Sequence, residues 1–157
     1  MACIPLRARR SGGQNLPVSD AVPSDLTELD DRWLLPFRGL TVTQVVVDFQ
    51  FGLALSGGGT VSIASTAKLG WSARGVRPDT EELHPSRQDV AAGLALFGTR
   101  VLSAVAFKSG RLRLAFSGGR LLRVAPDPAH EAWTATGPDG LLLVCMPGGS
   151  LTVWQRQ

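Results

Sequence analysis

The stretch GRLRLAFSGGRLLRV brings Arg111, Arg113, Arg120 and Arg123 close together in the chain. A guanidinium offers a planar fork of donors that grips carboxylates and phosphates through paired hydrogen bonds, so clustered arginines point toward an anionic partner. If Ser117, Gly118 and Gly119 form a three-residue hairpin loop, Arg113 stands opposite Arg123 and Arg111 lies two positions along the same face. Lys108 and Arg120 then fall at the hairpin's ends. Like charges opposed across a strand pair destabilise a sheet, so such a face calls for compensation. Two outcomes are open. The arginines fan apart in solvent or meet Glu81, Glu82 or Glu131; or they dock an acidic protein or a nucleic-acid backbone. Trp71, in LGWSARGVRP, is the best candidate for an exposed aromatic anchor, since Trp and Arg recur at the centres of interfaces. Its alternative is to fold back onto a sheet edge.

Other chemistry finds little support. His84 and His130 are far apart, and neither Cys-x-x-Cys nor His-x-x-x-His occurs, so no metal site is expected. No Gly-x-Ser-x-Gly is present, and Ser56 and Ser117 fall in hairpin loops with nothing to place a base beside them. SGGGT lacks the following helix and the Gly-Lys-Ser/Thr ending of a phosphate-binding loop. Cys145 lies in an apolar run and reads as a small buried hydrophobe. Asp48, Glu131 and Asp139 are scattered carboxylates. No catalytic residue, cofactor or metal is therefore assigned.

The elements that would position these residues are mostly strands. LTVTQVVVDF is rich in β-branched residues, and FGLALSGGGTVSIAS alternates apolar and small or polar residues on both sides of a glycine cluster. A three-residue loop at Ser56, Gly57 and Gly58 opposes Leu53 to Val61 and Phe51 to Ile63. The same loop at 117–119 opposes Leu114 to Leu122 and Leu112 to Val124. A third, at Pro147, Gly148 and Gly149, opposes Cys145 to Leu151 and Leu143 to Val153. Its other face, with Leu142, Val144, Thr152 and Trp154, is apolar too, which suggests a central hairpin covered on both sides or an exposed apolar patch. HPSRQDVAAGLALFGTR predicts one helix over 86–97, with Ser86 and Asp89 as a capping box, Gly98 as the stop, and Val90, Leu94 and Phe97 as its apolar stripe. The expected fold class is α+β: mostly antiparallel sheet built from hairpins, with that helix packed on it.

Composition sets the limits. A chain of 157 residues suits one domain, and 18 glycines with 10 prolines suit short elements joined by turns. Residues 1–34 show no periodicity and are expected to be a disordered tail, with a short turn at SDLTELDDRW; residues 35–157 form the β-rich domain. Two cysteines, Cys3 and Cys145, argue against a disulfide framework and for a reducing compartment. With no signal-peptide core and no membrane-length apolar run, a cytoplasmic location is expected. The pI near 9.5 invites nucleic acid. Yet a net charge of +3 is small beside the phosphate contacts of a DNA binder, and the absence of Tyr leaves no stacking platform in view.

The segments GLTVTQVVVDF, LFGTRVLSAVA, GRLRLAFSGGRLLRV and HEAWTATGPDGLLLVCMPGGSLTVW, in this order, resemble the small actinobacterial proteins grouped as DUF6188, a domain of unknown function. The resemblance covers roughly residues 38–154, with His130 standing where an aromatic residue is expected. It implies a fold and a lineage, and no activity, cofactor or catalytic residue. The Trp-containing ending is also similar to small immunity proteins that neutralise secreted bacterial toxins. The reading that follows is a non-catalytic protein-binding module, of immunity or accessory type, with Arg111, Arg113, Arg120, Arg123 and Trp71 making the contact to a partner with an acidic surface. An enzyme with a cleft near Asp48, Glu131 and Trp133 is the alternative, and weak nucleic-acid binding is a second.

Overall fold

Glycine in the hairpin loops fixes how this chain pairs. A computed structural model describes residues 25–71 and 80–156. In chain order its strands are β1 (Thr27–Glu28), β2 (Arg32–Leu34), β3 (Val42–Val47), β4 (Phe51–Leu55), β5 (Thr60–Ile63), β6 (Ala67–Trp71), β7 (Glu81–Leu83), β8 (Val101–Phe107), β9 (Leu112–Phe116), β10 (Arg120–Val124), β11 (Trp133–Thr136), β12 (Leu142–Cys145) and β13 (Leu151–Trp154). Gly57, Gly118 and Gly148, at the centres of the three expected loops, have φ of 80°, 86° and 86°, a region that glycine enters without a steric penalty. The registers follow: Leu53 opposes Val61, Leu114 opposes Leu122, and Cys145 opposes Leu151.

These hairpins assemble into two antiparallel sheets. One has seven strands in the order β1-β2-β8-β9-β10-β6-β7, the other six in the order β13-β12-β11-β5-β4-β3. Alternation turns one side of each strand inward, and the inward residues of both sheets belong to one buried cluster. Leu112, Leu114, Phe116, Leu122 and Val124 come from the first sheet; Phe51, Leu53, Val61, Ile63, Trp133 and Leu143 come from the second. Each such side chain contributes about 1.5–3 kcal/mol relative to exposure. Backbone bonds from Val42 to Thr99 and from Val101 to Leu40 tie the sheets together at one corner.

The mostly antiparallel architecture matches the expectation, but its helical part is smaller. Instead of one helix over 86–97 there are two 3-10 segments, Pro85–Arg87 and Ala91–Leu96, and no side chain caps either one. The buried positions are Val90, Gly93 and Leu96, a period of three, while Leu94 and Phe97 are exposed. The tighter winding has a steric cause. The turn at Gly93 lies against the ring of Phe51, where a Cβ would come within 2.5 Å, and three residues per turn keep that one glycine on the inner line.

Two further expectations change. Residues 25–34, assigned to the tail, are part of the fold: β2 pairs with β8, Trp33 packs partly buried against the core, and Lys108 Nζ meets Glu28 Oε2 at 2.6 Å. The stretch is ordered by partners about eighty residues away, which local composition does not register. Residues 1–24 lie outside the described ones. The third hairpin is not central: β13 is an edge strand, and on the second apolar face Leu142, Val144 and Thr152 are half-buried while Trp154 at its end is 64% exposed.

Candidate binding surface

The outer face of the seven-stranded sheet places charges in rows. Because antiparallel partners project to the same side, the row through the middle of the sheet reads Leu34, Val105, Arg113, Arg123, Lys68 and Glu82 across β2, β8, β9, β10, β6 and β7. Three cations are thus neighbours on three adjacent strands. Arg111 lies two positions from Arg113 along β9, on the same face. With Thr66, Phe107, Ser109 and Ala125, these four basic residues line a hollow of about 540 Å³.

The hollow is electrostatically unusual within this fold. Among the described residues, none of Lys68, Arg111, Arg113 and Arg123 has a carboxylate oxygen within 4.0 Å. Elsewhere the same sheet does pair its charges. At the β1–β2 turn, Arg32 Nε meets Asp31 Oδ1 at 2.8 Å and Lys108 meets Glu28. The Arg32 guanidinium beside Asp31 holds its carboxyl below the usual carboxylate range. Glu82, next in the row after Lys68, lies 3.4 Å from His84 Nε2. Arg113 is steadied instead by an aromatic face, its Cζ 5.3 Å from the centre of the Phe107 ring, with Arg32 Cζ 4.8 Å from the same centre.

The turn carrying Phe107, Ser109 and Arg111 is anchored from below. Phe107 N–H donates to the Arg111 carbonyl and Gly110 N–H to the Phe107 carbonyl, closing the turn. The Gly110 carbonyl then accepts the buried indole N–H of Trp133 at 2.9 Å and the thiol of Cys145 at 3.3 Å. Burial pushes the Cys145 thiol up from its ordinary pKa, so it serves as a neutral donor. One wall of the hollow therefore rests on side chains of the other sheet.

The sequence-predicted residues separate into two groups. Arg111, Arg113 and Arg123 share the outer face. Arg120 and Trp71 are paired across β10 and β6 on the opposite, core-facing side, at the end of the sheet. There Arg120 Cζ sits 4.5 Å from the Trp71 ring centre and Nη2 lies 3.9 Å from Glu81 Oε2, with the arginine side chain 17% exposed. Trp71 is half-buried. These two do not join the cationic hollow. Lys68, Thr66 and Ala125 do join it, and sequence reading missed them. Their position depends on β6 pairing with β10, and the only local signal was alternation in AKLGW.

The three residues of the enzyme alternative have separate roles. Trp133 is 1% exposed and turned into the core, and Asp48 accepts the Gln50 N–H at 2.6 Å within the β3–β4 turn. Glu131 is exposed. Among the described residues no three of His, Cys, Asp and Glu gather as a metal site would require, and no helix is long and apolar enough to cross a membrane.

No curated protein and no solved structure matches this chain. The model of the Family of unknown function (DUF6188) matches it over residues 33–155, from β2 through β13, and the chain belongs to that family.

Proposed function

We propose that this protein is a non-catalytic binding module that recognises a partner protein with an acidic surface through the outer face of its seven-stranded sheet. The observation behind this reading is the row Arg113, Arg123 and Lys68, joined by Arg111, none of which has a carboxylate oxygen within 4.0 Å among the described residues although Glu82 follows Lys68 in the register. Each opposed like-charge pair costs the sheet roughly a few tenths to 1 kcal/mol, a cost that a bound anion offsets. An acidic protein suits the face better than nucleic acid, because among the described residues the aromatic side chain lining the hollow, Phe107, is already covered by two arginines and offers no free base platform. An immunity-type or accessory role is one form of this function, and the buried free thiol of Cys145 suits a reducing cytoplasm.

The test is binding of the full chain to poly-L-glutamate and to a single-stranded oligonucleotide across a salt titration, alongside the Arg113→Glu/Arg123→Glu variant. Binding to polyglutamate that weakens with salt and disappears in the variant is expected. Equal binding by the variant would refute the choice of face, and tighter binding to the oligonucleotide would favour a nucleic-acid partner. The immunity form requires that the chain co-purify with, and inhibit, a toxin encoded beside it.

A further inference from the structure

The four cations of the outer face line one hollow, and Ala125 stands among them in the register. Val124 pairs with Leu112 on one side and with Ala67 on the other, so the next register step places Ala125 between Arg111 and Thr66. Arg123 lies two residues earlier on the same strand face, while Arg113 and Lys68 stand diagonally across. All six residues line the hollow together with the buried Leu112 and Val124, and Ala125 is exposed and the smallest of the six. Ser65 Oγ donates to the Ala125 carbonyl at 3.3 Å, tying this end of β10 to the residues just before β6.

We propose that this hollow is a site for a single phosphate monoester carried on a side chain of the partner protein, an inference that rests on the acidic-partner reading above. One carboxylate neutralises one of four cations. A phosphomonoester brings a charge of about −1.5 to −2 and three acceptor oxygens, and it matches the forked guanidinium geometry bidentately. The hydroxyls of Thr66 and Ser109 line the same hollow and supply neutral donors beside the charged ones. The cations at the two ends of the hairpin, Lys108 and Arg120, already face Glu28 and Glu81, so within an acidic partner surface the hollow is where an anion meets unpaired cations. The space of about 540 Å³ leaves room for the stem of the side chain beside the Phe107 edge.

The experiment is fluorescence anisotropy of the full chain with short labelled peptides identical except for one phosphoserine, glutamate or serine, with an oligothymidylate and with inorganic phosphate as competitor. The phosphoserine peptide is expected to bind about tenfold or more tightly than the glutamate peptide. That preference should vanish in Ala125→Asp, which puts a carboxylate on an exposed residue lining the hollow, and in Lys68→Gln, while Arg120→Gln binds like the parent. Thermal melts confirm that each variant is folded. Equal affinity for the phosphoserine and glutamate peptides overturns the phosphate site and leaves the acidic-partner reading intact. Failure of both peptides at low salt overturns both. Displacement by inorganic phosphate at concentrations comparable to the peptide, or tighter binding of the oligothymidylate, overturns the assignment to a phosphorylated protein.

Discussion

Replacing Gly110 with alanine is expected to cost far more stability than the same change at Gly118, although both residues sit in tight turns with positive φ, 103° and 86°. A Cβ at Gly118 meets nothing within 4 Å, so the cost there is conformational strain alone, of order 1–2 kcal/mol. A Cβ at Gly110 would lie 2.7 Å from the Gly149 Cα and carbonyl oxygen. Both are backbone atoms, and they belong to the loop of the third hairpin, so relief requires the two sheets to separate at that point. Such a shift also stretches the bonds from Trp133 and Cys145 to the Gly110 carbonyl, leaving two buried donors poorly satisfied at about 1–3 kcal/mol in all. Strain and lost bonding together give about 2–5 kcal/mol for Gly110→Ala. For a domain of this size that is a fall in Tm of about 4–20 °C, against about 2–8 °C for Gly118→Ala. Circular dichroism melts of the two variants measure the difference directly. Equal Tm values would refute the claim that contact between the Gly110 and Gly149 backbones anchors the turn. Because that turn carries Phe107, Ser109 and Arg111, the same variant should also lose anion affinity, whereas Gly118→Ala should keep it.

Three other outcomes follow from named contacts. Arg120→Ala should leave polyglutamate binding unchanged yet lower stability by about 0.5–1 kcal/mol, since its guanidinium faces Trp71 and Glu81 on the other side of the sheet; weakened binding would return Arg120 to the contact surface. In a Cys3→Ala background, Cys145 should react with a thiol reagent only on unfolding, because burial both shields it and disfavours its thiolate. Reaction of the native chain at the rate of the unfolded one would contradict its burial. Asp127 accepts the N–H groups of Ala129 and His130 at 2.7 and 3.0 Å, which lowers its pKa in the folded state. Its contribution is therefore present above the ordinary aspartate range and lost as pH falls through the lowered folded value. The stability gap between the parent and Asp127→Ala, followed by denaturant melts, should close toward low pH, and a gap independent of pH would exclude this role.

What the sequence made legible was local. Three loops with glycine at the left-handed position, flanked by alternating apolar residues, determined which side chains oppose one another, and every such pair within a hairpin stands as read, Arg113 opposite Arg123 included. The 3-10 segment was misread because an apolar pattern of Val90, Leu94 and Phe97 suits an α-helix, while the winding is set by the Phe51 ring beneath Gly93, a partner about forty residues away. The tail boundary failed in the same way, since β2 is held by β8. The binding surface lay half within reach. The hairpin alone supplied the arginines, but Lys68 and Thr66 reach the hollow only once β6 joins β10 across an intervening stretch of chain. Parity decides the rest. Side chains on a strand alternate sides, so Arg120, an odd number of residues from Arg123, had to face away from it, and Trp71 with it through their pairing. The grouping of five residues into one contact was therefore inconsistent with the very register that placed Arg113 beside Arg123, and the surface that satisfies that register is the hollow lined by Arg111, Arg113, Arg123 and Lys68.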